Sequence, residues 1–164
     1  MKYMLDTNIC IYAIKNKPKE VIKHILSHKS DELCISAISY GELMHGVEKS
    51  TYREKNYLAL SLFLSSITIL QFDGIAAEKY GLVRAGLETM GTPIGPMDTL
   101  IAAHALSKDL ILVTNNTREF CRVDGLKLED WTIAWCYNKI YREENPLPNT
   151  SLVLITDIKA CSLF

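Results

Sequence analysis

Short β-prone runs alternate with helical patterns along most of this chain, and that alternation constrains the fold more than any other feature. "KYML" (2–5) leads into "TNICIYAIKN", where Ile9, Tyr12 and Ala13 recur at helical spacing. "LCIS" (33–36) leads into "AISYGELMHGVEKS". "ITILQF" (67–72) leads into "IAAEKYGLVRAGLETMG", which stops at a glycine, as helices often do. "PMDTLIAAHALSKD" begins with proline near its first position and runs into "LILVT" (110–114). Residues 51–66 are expected to form a further helix, and a weaker fifth strand is expected around Lys127–Leu128. Strands alternating with helices build parallel βαβ units. The expected fold is therefore α/β: a three-layer α/β/α sandwich on a mainly parallel sheet of four to five strands.

With 164 residues the chain is long enough for one domain with its own core. Its formal net charge of −1 rules out a bulk polycation, so any nucleic-acid contact must use local patches. Apolar stretches are interrupted well before the roughly 18 residues a membrane span needs, so no membrane association is expected. Met1 leads almost directly into a core-like strand, without a basic segment, apolar segment and cleavage site. Secretion is not expected, and a cytoplasmic location is. Cys10, Cys34, Cys121, Cys136 and Cys161 lack CxxC spacing and read as small buried apolar residues in a reducing compartment. The composition breaks after Trp131: "YREENPLPNTS" resembles a linker, and "SLVLITDI" a strand without an evident partner. The expected division is a compact domain over 1–131 and a C-terminal extension over 132–164.

Acidic residues stand where this topology delivers side chains to one edge. In an open parallel sheet the loops at the strands' carboxyl ends form the binding crevice. Asp6 ends the first strand, and Glu42 lies early in the helix after "LCIS". Asp98 begins the helix that precedes "LILVT", and Glu119 in "TNNTREF" follows that strand. Each also has a local explanation. Asp6 can cap the helix from Thr7, Ser39-x-x-Glu42 fits a capping box, Asp98 suits a first helical turn, and Glu119 beside Arg118 suits a solvated loop. Asp73 follows a strand as well. If that strand lies at the sheet edge, two places from the first, about 4.8 Å per strand takes Asp73 roughly 10 Å away, and it is assigned to capping. Clustered carboxylates raise one another's pKa unless a cation relieves them. Oxygen-only donors without histidine or thiolate favour Mg²⁺ or Mn²⁺ over zinc, and such ions serve phosphoryl chemistry.

"MLDTNICIYAIK", "SAISYGEL", "GTPIGPMDTLIAAHAL" and "LVTNNTREF", in this order and spacing, resemble the PIN-domain ribonucleases, most closely VapC toxins of bacterial VapBC toxin–antitoxin pairs. The likeness covers about residues 1–131. It implies that Asp6, Glu42, Asp98 and Glu119 are catalytic, with Asp6 and Asp98 as metal ligands. Asn116 falls where many such domains carry aspartate, and its amide is expected to coordinate through oxygen or orient a water. Thr7, Asn8 and Thr114 are expected to support the carboxylates by hydrogen bonding, although turn and cap roles fit them equally. The implied activity is Mg²⁺- or Mn²⁺-dependent endonucleolytic cleavage of structured RNA, tRNA in particular, by water attack at phosphorus. The implied partners are a VapB-like antitoxin that inhibits the enzyme and a second copy in a homodimer. Lys15, Lys17, Lys19, Lys49, Arg53 and Lys55 are candidate phosphate contacts, with a solvated surface position the commoner role of each. His45, one helical turn beyond Glu42, is placed to face the crevice. His104, among alanines, reads as a packing residue.

Two other folds place an aspartate after the first strand. A haloacid dehalogenase-type phosphatase needs a second acid two residues on, where this chain has Asn8. A phospho-accepting receiver needs paired acids there. Neither explains Glu42 and Asp98 together, and no P-loop or GxGxxG segment is present. The remaining alternative is a PIN-like interaction module that has lost metal binding.

Overall fold

The computed structural model describes residues 1–133. The linker-like segment, the strand-like "SLVLITDI", Cys136 and Cys161 lie outside the described residues. Five strands form one sheet: β1 (Tyr3–Leu5), β2 (Leu33–Ser36), β3 (Thr68–Leu70), β4 (Ile111–Val113) and β5 (Leu128–Glu129). Their order is β3-β2-β1-β4-β5 and every pairing is parallel, with Leu5 level with Ile35 on one side and Val113 on the other. The expected α/β sandwich is therefore present, with five strands and no antiparallel member among the described residues.

Alternation of side chains across the pleat builds a core on each face. Tyr3 and Leu5 of β1, Leu33 and Ile35 of β2, and Val113 of β4 point to one side. There they meet helices α1 (Thr7–Lys15), α2 (Lys19–Leu26), α3 (Ala37–Lys49) and α4 (Arg53–Leu64). Met4, Cys34 and Leu112 point to the other side, against α5 (Gly74–Thr89), α6 (Pro96–Ser107) and the single turn α7 (Thr117–Phe120). Both faces are covered, as parallel sheets require. Trp131 closes the first core. It is fully buried, and its indole stacks on the rings of His24 and His28 at 5.1 and 5.0 Å. No helix among the described residues is long and apolar enough to cross a membrane.

Several local expectations need correction. The helix α2 stands outside the sequence expectation, which names no element between the first helix and "LCIS". Its signal is Val21, Ile22 and Ile25, three buried residues on one stripe. The cap of α3 is Ser36, whose hydroxyl accepts from the Ile38 N–H. Ser39 is buried one turn further on, so Ser39-x-x-Glu42 is not a capping box. Cys10 and Cys34 are buried as expected, whereas Cys121 is exposed. Asp73 behaves as expected: β3 is the edge strand, and the Asp73 carboxylate caps α5 by accepting from the Ala76 N–H at 3.0 Å. His104 is fully buried, hydrogen-bonded through Nδ1 to Ser36 Oγ at 2.9 Å and met edge-on by Phe72.

Candidate active site

The strand order reverses direction at β1: β2 and β3 lie to one side, β4 and β5 to the other. Such a switch point opens a crevice at the carboxyl ends of the strands. Asp6 stands at that position, directly after β1, with its N–H bonded to the Val113 carbonyl of β4. It is the N-cap of α1, and one carboxylate oxygen accepts from the Thr7 N–H at 2.7 Å. The other accepts from Thr114 Oγ1 at 2.8 Å. Capping and site membership are thus one arrangement here. Asp6 is only 3% exposed, and burial raises its carboxyl pKa, offset in part by these two donors. Cys10 lies in the core beneath it, and burial keeps that thiol protonated.

Glu42 is in the second turn of α3, half-buried. Thr7 Oγ1 donates to its carboxylate at 2.5 Å, so Thr7 ties Asp6 to Glu42 through its backbone N–H and its hydroxyl. Glu42 in turn adds to the upward pull on Asp6. Asp98 is the third residue of α6, after Gly95 at the N-cap and Pro96 at the first helical position. Proline suits that position because its missing N–H has no helical partner. Gly95 leaves Asp98 room: a Cβ there would stand 3.3 Å from an Asp98 carboxylate oxygen, a tight contact that the carboxylate would have to yield to by a few tenths of an ångström. Burial and then the charges of Asp6 and Glu119 push the Asp98 carboxyl up to about 6. Glu119, in α7, is within hydrogen-bonding reach of Asp98 and raises it further, as does the charge of Glu42.

The four acids named from the sequence are therefore brought to one rim from four separate segments. Around them, Asn116 Nδ2 approaches an Asp98 oxygen at 3.4 Å, and its backbone N–H donates to Thr114 Oγ1 at 3.0 Å. Thr114 passes that polarity on to Asp6. Thr7, Thr114 and Asn116 therefore touch the carboxylates, while Asn8 is exposed and makes no described bond to them. Gly95 is the member of the site that sequence reasoning misses. The signal was the glycine one residue before Pro96 and three before Asp98, indistinguishable in the sequence from an ordinary helix start.

The donor set is oxygen only, hard and anionic, which suits a hard divalent cation. Burial is the first cause of the elevation of Asp98 above the carboxylate range, and the crowding of Asp6, Glu119 and Glu42 that adds to it is the part a bound cation relieves. As the side chains stand, no three His, Cys, Asp or Glu among the described residues close into a group that could hold a metal ion. The four carboxylates face a common rim rather than a common point.

A groove runs from this rim along α3, lined by Thr7, Glu42, His45, Lys49, Ser50 and Tyr52 among others. His45 therefore does face the crevice beyond Glu42. Arg53, a candidate phosphate contact, is instead held by Glu48 at 2.6 Å.

Comparison with known proteins gives the same picture from outside. The PIN-domain family model matches residues 3–126. A tRNA(fMet)-specific endonuclease VapC of Shigella flexneri is 48% identical over 132 residues, covering 80% of this chain and 99% of that protein. Ribonuclease VapC2 of Rickettsia felis is 44% identical over 132 residues, covering 80% of this chain and 98% of that protein. Among solved structures, a DNA-bound VapBC complex from Salmonella typhimurium superposes with a TM-score of 0.76 at 46% identity, covering 80% of this chain and 98% of that one.

Proposed function

The chain belongs to the PIN-domain family, among the VapC ribonucleases, and on that footing we propose that it is a divalent-metal-dependent endoribonuclease acting as the toxin of a type II toxin–antitoxin pair. Its substrate is structured RNA. The tRNA(fMet) specificity named for the Shigella relative makes initiator tRNA the first substrate to try. The catalytic domain spans residues 1–131, with 132–164 as an appended segment. A VapB-like antitoxin silences the chain, a partner supported by the VapBC complexes among its structural relatives, and the chain also pairs with itself.

One observation carries the catalytic reading: Asp6, Glu42, Asp98 and Glu119 line one rim at the sheet's switch point, where burial and then the neighbouring charges drive Asp98 up to about 6. Asp6 and Asp98 are the residues that would hold Mg²⁺ or Mn²⁺, with Glu42 and Glu119 completing the acidic wall. When bound, such an ion supplies a water acidic enough to attack phosphorus and positive charge for the oxygens of an in-line displacement. The chain's own residues do the rest. Thr114 and the Thr7 N–H fix both oxygens of Asp6, the Thr7 hydroxyl fixes Glu42, and Gly95 leaves room for Asp98. Such orientation makes a site ready before the substrate arrives. The products are a 5′-phosphate and a 3′-hydroxyl.

A second reading has two observations in its favour. No three acids close on a point among the described residues, and Asn116 stands in place of an acid, which suits an interaction module without metal. The two separate in a cleavage assay on tRNA with Mg²⁺ or Mn²⁺. The nuclease cuts with metal, stops in EDTA, and loses its activity on Asp6→Asn. Cleavage indifferent to EDTA and to the substitution would remove the mechanism, and absence of both cleavage and metal binding would establish the module.

A further inference from the structure

The groove that leaves the acidic rim along α3 has its own chemistry. It encloses about 720 Å³, within the roughly 300–1,000 Å³ of small-molecule sites and large enough for a nucleotide. Glu42, His45 and Lys49 recur at i, i+3 and i+7, so they line one face of α3 in sequence from the rim outwards. Beyond them the groove reaches Tyr52, which is 64% exposed although it sits between two helices. The turn that carries Tyr52 is built rather than loose. Ser50 Oγ accepts from the Tyr52 N–H at 3.1 Å and from Asn56 Nδ2 at 2.8 Å, and Asn56 is itself buried. An aromatic face is thus held in water by a buried amide. Lys49 makes no ion pair among the described residues, unlike Arg53, which is neutralised by Glu48.

We infer that this groove seats a nucleotide flanking the cleaved bond, with the base stacked on Tyr52 and the phosphate contacted by Lys49 and His45. The inference rests on the ribonuclease reading and assigns the path of the substrate away from the carboxylates. Charge decides the occupant. The groove is acidic where it shares Thr7 and Glu42 with the rim and basic at its far end, the polarity of a strand whose cleaved phosphate lies among metal-binding acids while its neighbour needs a cation. A basic peptide would suit the first end and be repelled from the second. Stacking on an exposed ring is tolerant of base identity, so Tyr52 contributes affinity rather than sequence choice.

The test uses the full chain and a fluorescently labelled stem-loop RNA, with binding read by anisotropy in EDTA so that no cleavage is required. Tyr52→Ala is expected to weaken binding about tenfold and Tyr52→Phe to leave it unchanged, because the ring and not the hydroxyl is used. Lys49→Ala is expected to weaken binding and to reduce the slope of log affinity against log salt by about 0.7, one phosphate contact on a single strand. With Mg²⁺, Tyr52→Ala should raise KM and leave kcat near that of the unsubstituted chain. Failure of the ribonuclease reading appears separately, as RNA binding without cleavage. The groove assignment is overturned if the unsubstituted chain binds no RNA, if Tyr52→Ala and Lys49→Ala bind like it, or if Tyr52→Phe falls as far as Tyr52→Ala. It is equally overturned if the substitutions spare RNA and weaken only the antitoxin.

Discussion

A single carboxyl group, that of Asp98, reports most on the site. Its pKa is pushed up to about 6 by burial and by the charges of Asp6, Glu119 and Glu42. A carboxyl raised in the folded state holds its proton more tightly there than in the unfolded chain. Stability from this group is therefore complete below about pH 4, the ordinary carboxyl value, and is lost as pH rises through about 6. Asp98 is partly open to solvent, so screening reduces the effect to the order of 1 kcal/mol at neutral pH. In metal-free buffer, Asp98→Asn should raise Tm at pH 7 by roughly 2–4 °C and make little difference at pH 4. Thermal melts in EDTA at the two pH values check this, and an equal shift at both would show that ionisation of Asp98 is not the cause. The same residue shows what a sequence conceals. Asp98 near a helix start is legible, but that its carboxylate turns back towards Gly95 is not, since that contact depends on the side-chain position in the folded site.

At the scale of elements, each acid is delivered by the end of a strand or the beginning of a helix, and helix caps do much of the placing. Asp6 caps α1 and Asp73 caps α5 by the same chemistry, yet only Asp6 lies at the switch point. Asp73 also pairs with Lys108 at 2.5 Å, which with the cap holds its carboxyl below the usual range. Asp73→Ala should lower Tm by a few degrees through loss of the cap and leave RNA cleavage unchanged, whereas Asp6→Asn should abolish cleavage. Parallel assays of both variants distinguish a general need for acids from a need for this one, and cleavage lost equally in both would reject the assignment. The strands were legible because alternation of side chains and βαβ spacing are local properties. The helix α2 was not, because lysines and a proline at its start outweigh Val21, Ile22 and Ile25 to a reader without the sheet they pack on. Ser36 rather than Ser39 caps α3 because the helix begins at Ala37, directly after β2, which leaves Ser39 inside its first turn. Cys121 is exposed for a related reason: α7 is a single turn and buries only Phe120.

For the whole molecule, the described domain closes on Trp131, fully buried against Tyr3, His24 and His28, with Nε1 donating to Glu129 at 2.8 Å. A chain ending after Ile133 should fold and cleave RNA like the full chain. Trp131→Ala should cost about 3–5 kcal/mol by opening a cavity in the first core. Denaturant titration and the cleavage assay read both, and loss of activity in the shortened chain would place residues beyond 133 in the catalytic unit. Only the assembled sheet makes neighbours of Asp6, Glu42, Asp98 and Glu119, which lie up to 113 positions apart in sequence. Whether they jointly grip a cation is best asked of a crystal soaked in Mn²⁺, from the anomalous difference map. The account predicts a peak in coordination with Asp6 and Asp98, facing Glu42 and Glu119, that disappears in Asp6→Asn. A peak on other residues, or no peak under conditions where the protein cleaves RNA, would contradict it.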